Sequence, residues 1–100
     1  MMLPLDELAS LIRQIPPGKA ISYGDLGRSL TNPTSGYFVG RWIAMLDEPT
    51  PWWRVVAKGG WITTHKRSPE LGQEQILRLQ DEGINVEGGR VPPSALIDLL

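Results

Sequence analysis

The chain of 100 residues contains no cysteine. Disulfides, thiolate metal sites and a thiol nucleophile are therefore excluded by composition alone. A single histidine, His65, leaves one possible imidazole base and no histidine-rich metal site. No metal and no other cofactor is expected. No apolar run approaches the roughly 20 residues of a membrane span, and Met1-Met2-Leu3-Pro4 does not read as a signal peptide. A soluble, cytoplasmic, monomeric protein without a membrane partner is the expectation. Aromatic residues are also scarce, at 7% of the chain, yet four of the seven are tryptophan, so their positions carry information.

Apolar residues make up 41% of the sequence, enough for one core and a single domain over residues 1–100. The charge is unevenly distributed. Between Arg13 and Arg67 stand eight basic and three acidic side chains, a local charge of +5. The remainder holds two basic and eight acidic, or −6, for a net −1. A basic middle with acidic flanks suits one face meant for a polyanion, although ordinary surface scatter gives the same count.

Leu5, Leu8, Leu11, Ile12 and Ile15 recur at helical spacing, and Pro16-Pro17-Gly18 ends that helix. Ala20-Ile21-Ser22 is a short extended link. Ser22 or Tyr23 caps a second helix over Gly24 to Leu30, and Thr31 to Thr34 is a turn. Ser35 caps a third helix to about Leu46, with Val39, Ile43 and Leu46 as its core stripe and Phe38 and Trp42 beside it. Gly36, Gly40 and Ala44 form a second, bare stripe bordered by Tyr37 and Arg41. Such a stripe packs either against the protein's own chain or against a partner's backbone. Two short helices across a tight turn suggest a helix-turn-helix. Val55 to Ala57, a Lys58-Gly59-Gly60 turn and Trp61 to Thr63 read as a hairpin. Thr64 to Arg67 is a basic loop, and Ser68-Pro69 opens a fourth helix through Glu82, closed by Gly83. Ile84 to Val91 contains a turn at Glu87-Gly88-Gly89, and Ser94 caps a last helical turn to Leu100. The predicted fold is mostly α with a small β-hairpin, a winged helix-turn-helix-like domain.

Between the third helix and the hairpin lies Thr50-Pro51-Trp52-Trp53-Arg54-Val55-Val56. Adjacent side chains on an extended segment point to opposite faces, so one indole is buried and the other must have a separate use.

These phrases together resemble the DNA-binding domain of the O6-alkylguanine-DNA alkyltransferases. Ile15-Pro16-Pro17-Gly18 with Ile21-Ser22-Tyr23-Gly24-Asp25-Leu26 resembles its start. Asn32-Pro33 and Val39-Gly40 are similar to its turn and recognition helix. Pro51-Trp52-Trp53-Arg54-Val55-Val56 matches its Pro-Cys-His-Arg-Val-Val box, and Ile76 to Gly83 its closing Leu-Leu…Glu-Gly helix. Tryptophan at the cysteine position is the mark of the alkyltransferase-like proteins. By resemblance, these bind O6-alkylguanine in double-stranded DNA through the minor groove. They flip the lesion into a pocket without repairing it and direct it to nucleotide excision repair proteins. A bacterial member would be nucleoid-associated. The missing cysteine agrees independently, because alkyl transfer needs a thiolate acceptor.

The resemblance assigns DNA contacts to Tyr23, Gly36, Tyr37, Gly40 and Arg41, and the lesion pocket to Tyr23, Trp52, Arg54, His65, Lys66 and Arg67. Trp52 stands as pocket wall or as a plain buried or lid-like tryptophan, with Trp53 behind it in the core. Arg54 is a structural arginine of the box, and Glu82, whose relay partners are replaced, is a structural acceptor. The family's intercalating arginine falls at Tyr37, which can wedge like other aromatic side chains but cannot donate like a guanidinium. Arg41, one turn on, can take that part or bind phosphate. Glu48 replaces the family's hinge asparagine and must face away from DNA or pair with a base such as Arg41. The competing function is a protein-interaction module of the same fold, docking through Tyr37, Arg41 and Trp42. An unrelated hydrolase using Asp25, Glu48 or His65 lacks any locally spaced nucleophile–base pair.

Overall fold

A computed structural model describes residues 3–98. The first helix, α1 (Pro4–Arg13), begins with proline at its first position and carries Asp6 and Glu7 in its first turn and Arg13 in its last. Both placements suit the helix dipole. Its stripe of Leu8, Ile12 and, past the helix end, Ile15 is buried. A two-residue strand, β1 (Ile21–Ser22), leads straight into α2 (Tyr23–Ser29). Of the two expected caps, Ser22 is the one in place: its hydroxyl accepts from the Asp25 N–H at 3.1 Å.

The turn after α2 folds tightly onto Gly27, whose carbonyl accepts from both Leu30 and Thr34 N–H. A Cβ on Gly27 would lie 2.1 Å from the Thr34 carbonyl oxygen, so this glycine is required by the close approach itself. The third helix, α3 (Gly36–Ile43), then crosses α2 as a helix-turn-helix. It ends earlier than the expected Leu46, in looser turns in which Met45 and Leu46 N–H reach the Trp42 and Ile43 carbonyls. Ser35 has the extended backbone of a cap but its side chain makes no capping bond. Of the expected stripe only Val39 is fully buried, while Phe38 and Met45 are exposed.

The strand β2 (Val55–Val56) pairs in parallel with β1, Ile21 opposite Val55 and Ser22 opposite Val56. This small sheet separates two cores. Ile21 and Val55 join Leu8, Ile12, Leu26 and Val39 on one side. Ala20 and Val56 join Ile62, Leu79, Ile84 and Val91 on the other. The alternation of strand side chains thus divides one short ladder between two apolar clusters.

The mostly helical, helix-turn-helix class stands, but the expected hairpin differs in its pairing. Gly59 and Gly60 both have positive φ, +81° and +94°. They turn the chain within a loop closed by Ala57 N–H to Trp61 O and Gly60 N–H to Ala57 O. Beyond it, Ile62 N–H donates to Gly89 O and Val91 N–H to Gly60 O. β2 is therefore left to pair with β1. After a short 3-10 turn at Thr64–Lys66 comes α4 (Pro69–Asp81), with the Ser68 hydroxyl accepting from Leu71 N–H. The expected final helical turn from Ser94 is not formed among the described residues. Pro93–Ala95 is one 3-10 turn. Ala20 then bonds on either side of Leu96, donating to Ala95 O and accepting from Ile97 N–H, which holds that segment extended. Leu99 and Leu100 lie outside the described residues. Among the described residues no helix is long and apolar enough to cross a membrane.

Candidate nucleic-acid interface

Trp52 and Trp53 do not lie on an extended strand. Trp52–Arg54 is a 3-10 turn, with Arg54 N–H donating to Pro51 O. The two indoles meet edge to face, 6.1 Å apart between centroids and at 84° to each other. Trp53, expected in the core, is only half-buried. It packs against the second core while its Nε1–H donates to Glu82 Oε2 at 2.9 Å. The Arg78 and Arg54 guanidiniums lie 4.6 and 5.5 Å from its ring centroid. Trp52, unlike Trp53, also forms a wall of a hollow of about 310 Å³. Tyr23, Gly40, Ile43, Ala44, Thr64, Arg67 and Leu71 complete the lining. The volume is at the lower end of the roughly 300–1,000 Å³ range of small-molecule sites.

Four of the residues expected at the interface, Tyr23, Gly40, Trp52 and Arg67, thus meet at one hollow from four separate segments. Tyr23 opens α2 and lies under the bare stripe of α3. A Cβ on Gly36 would come 3.1 Å from Tyr23 Cβ and 3.0 Å from the Gly24 nitrogen. One on Gly40 would come 3.5 Å from Arg67 Nη2 and 3.8 Å from Tyr23 Cε1. At Gly36 the stripe therefore packs against the protein's own chain and lets α2 and α3 approach closely, while Gly40 and Ala44 border the hollow. Burial pushes the Tyr23 phenol above its ordinary value, partly offset by the Arg67 charge and a hydrogen bond with Thr63. It stays a neutral donor at physiological pH. Arg67 reaches across the mouth of the hollow and donates to the Gly40 carbonyl at 2.8 Å.

Other expected residues stand elsewhere. Arg54 does not line the hollow. Its Nε and Nη2 bind the Glu82 carboxylate at 2.6–3.1 Å, and Nη1 donates to Ile15 O at 2.8 Å. Glu82 accepts in addition from Gly18 N–H at 3.2 Å. Burial alone would raise its pKa. The hydrogen bonds from Arg54, Trp53 and Gly18, with the Arg54 charge, outweigh it and hold the carboxyl below its ordinary 4.5. His65 and Lys66 are exposed and outside the lining, because the backbone of His65 is pressed onto Gly72 of α4. A Cβ there would lie 2.8 Å from His65 Cβ. Among the described residues no group of three or more His, Asp or Glu side chains could hold a metal ion.

The two candidates for the intercalating position stand together on the outer face of α3. Tyr37 is 67% exposed. Its hydroxyl accepts from Arg41 Nη1 at 3.1 Å, and its ring meets Phe38 edge-on at 5.4 Å. Glu48 pairs with Arg13 at 2.9 Å rather than with Arg41. Ile43, Ala44, Thr64 and Leu71 are not among the residues expected at the pocket: the sequence reads Ile43 as core, Ala44 as part of the bare stripe and Thr64 as loop. Small or aliphatic side chains carry no chemical mark, and only their closeness to Trp52 in the fold brings them to the hollow.

Comparison with known proteins places this geometry among relatives. Residues 6–84 match the 6-O-methylguanine DNA methyltransferase, DNA binding domain family. An alkyltransferase-like protein 1 of Schizosaccharomyces pombe is 36% identical over 76 residues, 73% of this chain and 68% of that one. A DNA base-flipping protein of Vibrio parahaemolyticus is 32% identical over 84 residues, 82% of this chain and 81% of that one. A bifunctional methyltransferase/endonuclease of Thermoplasma volcanium is 33% identical over 86 residues; these are 84% of this chain but only 26% of that much longer protein. In three dimensions the chain superposes on the S. pombe alkyltransferase-like protein crystallised with damaged DNA containing O6-carboxymethylguanine. The TM-score is 0.83 at 25% identity, covering 98% of this chain and 99% of that one.

Proposed function

We propose a function from one premise: the chain belongs to the family of the 6-O-methylguanine DNA methyltransferase DNA binding domain, among its alkyltransferase-like members. It binds duplex DNA carrying O6-alkylguanine and recognises the lesion without reacting with it. The α3 helix enters the minor groove. Tyr37, with Arg41 beside it, fills the place in the stack that the extruded base leaves. The alkylated guanine turns into the hollow between α3, the Trp52 turn and the Thr64–Arg67 segment. One observation carries this reading: the Trp52 indole, at the position of the family's cysteine, forms a wall of that hollow.

The roles then follow from chemistry. Trp52 offers a flat apolar face to the purine and its alkyl group. The neutral Tyr23 phenol lies at the hollow as a hydrogen-bond donor, beside α3, where a nucleotide's phosphate would pass. Arg67 is held at the mouth by its bond to the Gly40 carbonyl, and it can exchange that partner for the O6 or a phosphate oxygen. No thiolate exists in the chain to accept an alkyl group, so the lesion remains on the base. Removal must come from another protein, which we assign to nucleotide excision repair. The Thermoplasma relative is named for both a methyltransferase and an endonuclease activity, which supports the pairing of such a domain with a separate nuclease.

The wild-type protein should bind a duplex with one O6-methylguanine at least about tenfold more tightly than the same duplex undamaged, as a few kcal/mol of base contacts gives. Both affinities should fall with salt, by a log–log slope near −0.9 for each phosphate contacted. Fluorescence anisotropy across a salt series measures both. Equal affinity for the two duplexes would sink the lesion reading. Replacing Tyr37 with alanine should weaken binding to either duplex, because the wedge acts on the stack whatever base is present. The second reading, a protein-interaction module, draws on the exposure of Phe38 on α3 and of Met45 in the turn after it. No duplex binding even at low salt would select it.

A further inference from the structure

The walls of the hollow come from separate segments, and one side chain outside the lining ties two of them together. Gln75 on α4 is 1% exposed, the most deeply buried polar side chain among the described residues. Its Nε2 donates to Trp53 O at 3.1 Å and to Val55 O at 2.9 Å. Its Oε1 accepts from the Thr64 hydroxyl at 2.7 Å. Both amide hydrogens are thus used on the backbone that follows Trp52. The amide oxygen holds Thr64, which itself lines the hollow.

We propose that Gln75 is a positioning residue for lesion recognition, a buried amide clamp that fixes the distance between the Trp52 wall and the Thr64–Arg67 wall. The inference rests on the lesion-pocket reading and deepens it. The physical argument is one of alternatives. The Trp52–Arg54 turn is a single 3-10 turn followed by a two-residue strand, and the Thr64–Lys66 turn is equally short. The first is tied to β1 through Val55 and Val56 and to Glu82 through Trp53 and Arg54, but none of those bonds reaches the Thr64 segment. A hydrocarbon at position 75 would fill the same volume but leave two carbonyls and a hydroxyl to find other partners. The side-chain tie between the two segments would then be gone, and the Thr64 wall would settle without reference to the Trp52 wall. Gln75 and Thr64 act as one unit, so removing either hydrogen-bonding group should undo the same coupling. The choice of glutamine also fits a site that must tolerate DNA: the clamp is neutral, and it satisfies all three partners without placing a charge under the lesion.

The test uses the full chain. Gln75→Met and Thr64→Val are compared with wild type for binding to a duplex with one O6-methylguanine and to the undamaged duplex. In parallel, the indole N–H resonances of Trp52 and Trp53 are followed in the free proteins by ¹⁵N NMR. Gln75→Met should lower the damaged-to-undamaged affinity ratio about tenfold, as misplacement of a recognition group by a fraction of an ångström does. Affinity for plain duplex should change less than about twofold. Thr64→Val, which keeps both carbonyl bonds, should lower the ratio by less, and adding it to Gln75→Met should lower it no further. The Trp52 indole signal should shift or broaden in Gln75→Met without DNA. A folded Gln75→Met protein with the wild-type ratio overturns the proposal, and so does an equal loss on both duplexes. If Gln75→Met fails to fold, an unchanged ratio in Thr64→Val overturns it. If wild type itself shows no preference for the lesion, the lesion-pocket reading fails. The Trp52 resonance then decides the clamp alone: unmoved, it overturns the positioning role; moved, it supports it.

Discussion

Replacing Arg54 with alanine should lower the free energy of unfolding by about 3–5 kcal/mol, the usual result of stripping one partner from a buried ion pair. Arg54 and Glu82 side chains are only 12% and 14% exposed, so solvent screens their interaction little. Arg54 also donates to Ile15 O, which fastens the end of the α1 segment to the start of β2. In the alanine variant, Glu82 keeps Trp53 Nε1 and Gly18 N–H but loses its counter-charge. Lysine should not restore stability, because a point charge cannot reproduce the planar fork that reaches carboxylate and carbonyl together. The double variant Arg54→Met, Glu82→Gln should recover part of the loss, since it leaves no unpaired charge. Urea unfolding measures all four. A loss below about 1 kcal/mol for Arg54→Ala would place the pair with ordinary surface bridges.

The same pair sets an acid limit. Folding depresses the Glu82 pKa below its ordinary 4.5. Its contribution is therefore complete above the unfolded-state value and is lost as pH falls through the lower folded-state value. Wild type should lose stability as pH drops below about 4.5. Glu82→Gln should be less stable at neutral pH and flatter across that acid window. Because Arg54 does not line the hollow, the folded fraction of Arg54→Ala should keep its lesion preference, separating stability from recognition.

Much of this arrangement was legible in the sequence, for identifiable reasons. Helical spacing and the Ser22 and Ser68 caps placed α1, α2 and α4, because caps and apolar periodicity are local. The resemblance grouped Tyr23, Trp52 and Arg67 at one pocket, and these three do line one hollow, where Gly40, expected as a DNA contact, joins them. The strand pairing was not legible. Lys58-Gly59-Gly60 carries a hairpin signal, and nothing local shows that Val55 and Val56 find Ile21 and Ser22 instead. Parallel pairing depends on how distant segments meet, which a turn motif does not record. Ser94 misled in a similar way, since the bonds holding Leu96 and Ile97 extended come from Ala20 far along the chain. His65 and Lys66 share a loop with Arg67 in sequence, but the close contact of His65 with Gly72 directs only Arg67 to the hollow. Gln75 had a visible signal. It stands with Gly72 and Leu79 on the buried stripe of α4, at three- and four-residue spacing, and an amide on such a stripe implies buried partners.

Trp52→Ala should remove most of the preference for damaged duplex while leaving binding to plain duplex near wild type. Stacking of a base on an aromatic side chain contributes about 1–3 kcal/mol by alanine substitution, a factor of roughly 5 to 150 in affinity. The loss here should fall in the upper half of that range, because the indole does two things. It presents the apolar face of the 310 Å³ hollow. It also divides that hollow from a larger one of about 520 Å³ lined by Leu46, Pro49, Pro51, Trp53 and Arg78, with Ile43 and Trp52 common to both. Alanine would join the two spaces, and an extruded guanine would lose its stacking face and its confinement together. Trp52→Phe keeps a flat ring of smaller area and should lie between the two. Stability should change less than for a core tryptophan, since Trp52 is only half-buried. Competition between damaged and plain duplexes, each at fixed salt, measures the ratio directly. If Trp52→Ala weakens both duplexes alike, the indole acts in folding or general docking. If the ratio survives intact, the base contacts some other surface, and the substitution of tryptophan for the family's cysteine loses its recognition role.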